Sequence, residues 1–389
     1  MSRICLVAVA AIVSAMPNAL LAQQDTLPDR PFVRGGVYDR PYLTTLLGRT
    51  AIGGYAEAHA RWNRVDGASE DSGFEAKRFN LFTATEVSDF VRIGAELEIE
   101  EGGDEIKLEY AALDLRVHPG FNIRAGMLLS PLGRFNLSHD SPLNDFTDRP
   151  LVSTELLGTA LSEPGLGVFG IFLVGGVGRL TYEAYATNGF HDGLISDSPE
   201  GVRIPLGRGN VEDNNSSPAL VSRIAWSPST TIEVGLSGHM GAYNEFNAEG
   251  IPIDQRRDLS IGVVDFTGEF GDWSASGEFA AAWIDVPGSL AGFLAERQRG
   301  FYTDVTRSFG RGWISTMPQS VLVAGVRIDV VDFDADQRGD NVKQITLGLD
   351  FRPTAESVLK FGYVRGRGHD RFNNPADHAT VQFSFATYF

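Results

Sequence analysis

Glu96 and Glu98 lie in the run Val91-Arg-Ile-Gly-Ala-Glu-Leu-Glu-Ile-Glu100, where charged and apolar residues alternate. In an extended chain, a spacing of two places both carboxylates on one face, together with Arg92. Comparable runs hold Arg78, Lys107, Arg116 and Arg124, and a later one holds Arg327 and Asp329. Charges of both signs on one face demand water or cross-strand partners, because an unpaired charge in an apolar medium is costly. Such a wall suits the recognition and passage of small hydrophilic solutes or ions rather than bond cleavage.

Catalytic constellations do not compete with this reading. The seven histidines are scattered, with no His-Glu-X-X-His spacing for zinc. In Gly235-Leu-Ser-Gly238 the second glycine follows Ser237 directly, which is not the spacing of a nucleophile elbow. Ser237 and His239 share a face, but a barrel phospholipase needs that pair on its outer wall, and this face is predicted to line the interior. Cys5 is the only cysteine and falls in a predicted signal segment, which excludes thiol chemistry and disulfides from the rest of the chain. The expectation is a protein that is not an enzyme and has no cofactor and no metal.

Strands must position the charged wall. The chain ends on Ala379-Thr-Val-Gln-Phe-Ser-Phe-Ala-Thr-Tyr-Phe389, where Val381, Phe383 and Phe385 alternate with Thr380, Gln382 and Ser384. An apolar face toward lipid and a polar face toward water mark a transmembrane β-strand. Such segments recur near 49–62, 75–87, 90–100, 105–117, 121–128, 167–175, 179–188 and 218–227. They continue near 230–240, 258–269, 273–285, 300–309, 319–332, 342–352, 357–366 and 379–389. The predicted fold is all-β, a transmembrane antiparallel β-barrel of about sixteen strands with short turns on one rim and long loops on the other. The long polar connections include 63–74, 129–166, 189–217 and 367–378, whereas 310–318 is long for the short-turn rim. A change of phase near Ala111-Ala112 predicts a β-bulge. Trp62, Trp226, Trp273, Trp283 and Tyr363 fall at predicted strand ends, as at a membrane interface.

Arg3, the apolar stretch 5–13 and Ala19-Leu-Leu-Ala22 read as a signal peptide over 1–22. Residues 23–48, with Pro28, Pro31 and Pro41, read as an irregular leader before a barrel over 49–389. This leader is also a candidate to contact or plug the periplasmic mouth. The formal charge of −17 argues against nucleic acid as a partner. Outer-membrane lipid and small hydrophilic solutes or ions are the expected partners. The expected location is the outer membrane of a Gram-negative-type bacterium.

The connection 129–166 is the predicted constriction. Leu132, Phe135, Leu137, Leu143 and Phe146 are placed to pin it against the inner wall. That leaves Arg134, His139, Asp140, Asp145, Asp148 and Arg149 to face the opening, where fixed charges select permeants. Two functions stay open: a diffusion channel, or a structural or binding barrel plugged by 129–166 and 189–217.

Several short motifs carry a family resemblance. They are Lys77-Arg78-Phe79, Glu96-Leu97-Glu98, Gly126-Met-Leu-Leu-Ser-Pro131-Leu-Gly133, Phe146, Arg149-Pro150, the glycines from Gly165 to Gly170, and Gly300-Phe-Tyr302. Over most of 50–389 the chain resembles the phosphate-selective porin O and P family. The resemblance implies a sixteen-stranded homotrimeric porin with an inward-folded third loop, and passage of phosphate or other anions. The residues themselves leave the charge preference open. Lysines occur only at 77, 107, 343 and 360, and Glu96, Glu98 and Asp114 lie among Arg78, Arg92, Arg116 and Arg124. That balance also suits a general or weakly cation-preferring channel.

Overall fold

Alternation along the chain closes into a cylinder. The structure is a computed structural model describing Gly36, Arg40, Thr44–Thr45 and residues 49–389. The expected signal segment and nearly all of the leader lie outside the described residues. Sixteen strands form the wall, beginning with β1 (Thr50–Val65), β2 (Ala68–Glu86), β3 (Val91–Glu100), β4 (Glu105–His118), β5 (Phe121–Leu129) and β6 (Ser162–Val174). Next come β7 (Gly178–Thr187), β8 (Ala219–Ser227), β9 (Ile232–Ala242), β10 (Asp258–Phe270) and β11 (Trp273–Ile284). The set ends with β12 (Arg297–Phe309), β13 (Val321–Asp332), β14 (Asn341–Arg352), β15 (Ser357–His369) and β16 (Pro375–Tyr388).

Each strand pairs antiparallel with the next, and β16 pairs back onto β1 from His378↔Val65 to Tyr388↔Tyr55. Phe389 extends this seam. Its N–H donates to the Gly54 carbonyl at 2.9 Å, and its carbonyl accepts from Gly54 N–H at 3.2 Å. The Phe389 ring stacks on Phe79 with centroids 5.3 Å apart. Gly54 permits the approach, since a Cβ there would stand 2.4 Å from the Phe389 ring. Closure matters because backbone groups in hydrocarbon have no water to bond.

The two faces of the wall differ as expected. Along β15, Leu359, Phe361 and Tyr363 are exposed on the outside while Lys360 is buried inside. Trp62, Trp226, Trp273 and Trp283 are each about half exposed on the outer wall, matching an interfacial belt.

The sequence reading departs from the structure in four places. Residues 63–74, expected as a loop, instead prolong β1 and β2 into a hairpin turning at Asp66-Gly67. Both turn residues have positive φ, 48° and 84°, the geometry that makes Asp-Gly a two-residue hairpin turn. The irregularity in β4 falls earlier than Ala111-Ala112: the register jumps between Glu96↔Tyr110 and Leu97↔Leu108, so Glu109 and Tyr110 both turn inward. Strand β6 starts at Ser162, before the expected 167, because Leu129↔Ser162 pairing begins as soon as the constriction loop ends.

The fourth departure is physical. Next to the long loops the interior of β8, β10 and β11 is apolar, with Val221, Leu259, Ile261, Val263, Ala280 and Ala282 buried, and Arg223, Asp265 and Glu278 follow further along the same strands. The loops between β5 and β6 and between β7 and β8 fold inward and cover this wall with Leu132, Phe135, Leu156, Leu157, Phe190 and Leu194. An inner face met by folded chain rather than water follows the rule of a protein core.

Candidate functional site

With loops filling one side of the lumen, open space collects against the other. A cavity of about 960 Å³ lies against β1 to β4, bounded by both inward-folded loops. Alternation along β1 to β4 delivers Glu57, Arg78, Glu98 and Lys107 to this wall, while Asp148, Arg149 and Arg208 come from the loops.

Most of these charges are already paired. Arg78 reaches Glu57 at 3.2 Å, Glu98 at 3.6 Å and Glu100 at 2.9 Å. Lys107 pairs with Glu100 at 3.2 Å and Glu105 at 3.0 Å, and Arg61 with Asp148 at 3.0 Å. Glu57 also binds His59 at 2.7 Å and accepts from the Ser141 hydroxyl.

Arg149 and Arg208 differ. Among the described residues neither forms an ion pair. Arg149 donates only to the Thr159 carbonyl at 3.5 Å, and its Nε and Nη2 are buried without a hydrogen-bond partner. Arg208 donates to the carbonyls of Gly158 at 2.8 Å and Pro205 at 3.0 Å. Burial, and after it the neighbouring Arg149 guanidinium, pulls the Arg208 group below the ordinary arginine range. Gly158 makes room for this arrangement: it has φ +78°, and a Cβ there would meet Arg208 Cδ at 2.6 Å. Two cations facing one cavity without carboxylate partners offer a place for an anion.

The constriction loop is held by buried polar anchors. Glu278 accepts from Phe135 N–H at 2.6 Å, and Ser237 Oγ accepts from Gly133 N–H at 2.9 Å. Arg327 forks onto Asp304 with two bonds of 2.7 Å, donates to the Asp148 carbonyl at 2.6 Å and lies 4.5 Å from the Phe146 ring centroid. Asp329 accepts from Leu151 N–H at 3.0 Å. Lys360 caps the carbonyls of Ser141 at 2.8 Å and Phe146 at 3.3 Å.

The candidate residues therefore separate into groups. Arg78, Glu98, Lys107 and Arg149 line the cavity. Glu96 and Asp140 lie next to it, buried. Arg327, Asp329 and Asp145 fasten the loop, Asp145 through Arg352 at 2.7 Å. Arg92 and Arg116 stand at the rim opposite the long loops, near Glu86. Arg124 forks onto Asp114 at 2.6 and 2.9 Å within the wall, and Arg134 is half-buried at the start of the short helix Arg134–Leu137. Thus Asp140 and Asp145, expected to face the opening, are tied to Arg40 and Arg352 instead. Leu132, Phe135, Leu137 and Phe146 are buried as expected of loop anchors, but Leu143 is 39% exposed. Arg208 and Arg40 escaped the sequence reading, because neither lies in an alternating run.

No family model matches the chain. An uncharacterized protein of Aquifex aeolicus (strain VF5) is 26% identical over 362 residues, covering 86% of this chain and 80% of its own. Among solved structures, the outer membrane channel DcaP of Acinetobacter baumannii superposes with a TM-score of 0.57 at 13% identity, covering 89% of this chain and 99% of that one. The anion-selective porin from Comamonas acidovorans gives 0.56 at 12%, with 87% and 99% covered. Salmonella typhi OmpF gives 0.56 at 11%, with 87% and 98% covered. At such identities the likeness is one of architecture, and it does not reach the phosphate-selective subgroup. The chain has the closed sixteen-stranded fold of the outer-membrane porins.

Proposed function

We propose that the chain is an outer-membrane porin, a non-enzymatic channel through which small hydrophilic solutes diffuse, assembled as a homotrimer and favouring anions at its cavity. The observation that carries this reading is the charged cavity of about 960 Å³ inside a wall whose outer face is apolar. The pair Arg149 and Arg208, with carbonyls and no carboxylates as partners, supports the anion preference. Trimeric assembly has support in the trimer form of OmpT from Vibrio cholerae, which superposes with a TM-score of 0.54 at 10% identity and 88% coverage of this chain and 100% of that one.

Purified protein in a planar bilayer is expected to give small stepwise currents, with a reversal potential in a salt gradient on the anion side. Arg149→Gln combined with Arg208→Gln is expected to keep the steps and move the reversal potential toward cations. Both residues project from loops, so the barrel tolerates their loss. An unmoved reversal potential would remove the anion site. Absence of steps in wild type and in the Arg40→Ala variant described below would favour the plugged binding barrel instead.

A further inference from the structure

Arg40 precedes β1 in sequence, yet its side chain is only 3% exposed inside the barrel. Its Nε and Nη2 donate to the two oxygens of Asp140, each at 2.9 Å. Its Nη1 pairs with Glu96. The guanidinium carbon lies 4.8 Å from the centroid of the Phe82 ring, and the Tyr388 hydroxyl donates to Asp140 at 2.9 Å. These partners come from β3, the constriction loop, β2 and β16, so the wall and the loop build the receptor together.

The receptor has a definite chemistry. Two carboxylates with side chains 0% and 2% exposed stand close enough to share one group. Left without a cation they would repel, and one would have to take up a proton. One carboxylate matches the planar fork of a guanidinium, the second takes its remaining edge, and an aromatic ring covers a face. An ammonium group would leave the fork geometry unused.

The receptor also adjoins the cavity. Asn80 donates to Glu96 at 2.8 Å and to Glu98 at 3.3 Å, and Glu98 lines the cavity. Ser141, next to Asp140, donates to Glu57 of the same lining. Arg40 and its partners thus stand one residue removed from the cavity lining.

We propose that Glu96, Asp140, Phe82 and Tyr388 form a guanidinium-binding site that Arg40 occupies as a ligand tethered to the chain, stoppering the cavity, and that solutes bearing a guanidinium group take this site when Arg40 is absent. The proposal rests on the channel reading for its effect on current, but not for its effect on binding. With Arg40 seated, one of the two carboxylate charges is balanced, the other is closed off from the lumen, and the anion-favouring pair sets the selectivity. With Arg40 removed, the charge of at least one of these carboxylates opens to the lumen.

The test compares wild type with Arg40→Ala, and with Arg40→Gln should the first fold poorly. Arg40→Ala is expected to raise single-channel conductance several-fold and to shift the reversal potential toward cations. Millimolar guanidinium chloride is expected to block the added current, where equal sodium chloride does not. Where wild type conducts, unchanged conductance in Arg40→Ala, or added current indifferent to guanidinium, overturns the proposal. Binding is read separately by thermal unfolding in detergent. Millimolar guanidinium is expected to raise the midpoint of Arg40→Ala and leave that of wild type unmoved. If no protein conducts, the channel reading fails alone, and the midpoint shift still decides the site: its presence supports it and its absence overturns it.

Discussion

Arg327→Ala is expected to lose about 3–5 kcal/mol of folding stability, the usual cost of removing one partner from a buried ion pair. Arg327 is 2% exposed and joins three things: Asp304 on β12, the Asp148 carbonyl of the constriction loop, and the Phe146 ring. Without it Asp304 keeps a desolvated charge and the loop loses a hydrogen bond to the wall. Urea unfolding in detergent, followed by the mobility difference between folded and unfolded barrel on a gel, measures the loss. Loosening of the loop should also expose Arg149 to trypsin. Arg327→Lys keeps the charge but not the fork, so it should fall between wild type and alanine. An unchanged midpoint with an unchanged tryptic pattern would mean that the loop is held elsewhere, by Glu278 and Lys360.

The second large effect concerns the outer wall. Leu347 lies midway along β14 and is 49% exposed toward lipid. Leu347→Arg is expected to cost about 2–4 kcal/mol, the penalty for a cation on the lipid face at the bilayer midplane. Leu359 is equally outward but near the end of β15, and Leu359→Arg should cost roughly 0–1 kcal/mol. Folding into lipid vesicles across a urea series reads both. Equal costs at the two positions would place the membrane differently along the wall.

The barrel was legible because each strand repeats one local rule, apolar toward lipid and polar toward water, and that rule is visible within about ten residues. Failures came where the rule had no purchase. The Asp66-Gly67 hairpin is polar on both faces, so periodicity is silent there although the turn dipeptide is explicit. The apolar half of the interior of β8, β10 and β11 depends on chain that returns from far away. The site suffered most. Glu96 and Glu98 sit two apart and read as equals, yet Glu98 lines the cavity while Glu96 meets Arg40. Nothing local to Glu96 announces a partner 56 positions upstream (96 − 40). Arg327 and Asp329 read as pore charges from alternation, and their use as loop anchors needs the tertiary structure. Arg208, in an irregular loop, carries no pattern at all.

The hairpin of β1 and β2 has a consequence for approach to the mouth. Its strands run 16 and 19 residues, against the roughly 9–11 needed to cross a bilayer. At about 3.3 Å per residue, with strand tilt, the surplus lifts Asp66 roughly 15 Å above the membrane. Among the described residues, no strand lies beside 68–77 of β2 on the β3 side, since that pairing starts only at Arg78↔Glu100. Glu70 and Lys77 put charge along the free edge, which discourages sticking to other chains. Arg61 and Lys77, at the foot of the hairpin, belong to the cavity lining. The cavity is therefore flanked on one side by a charged hairpin that rises above the rest of the wall.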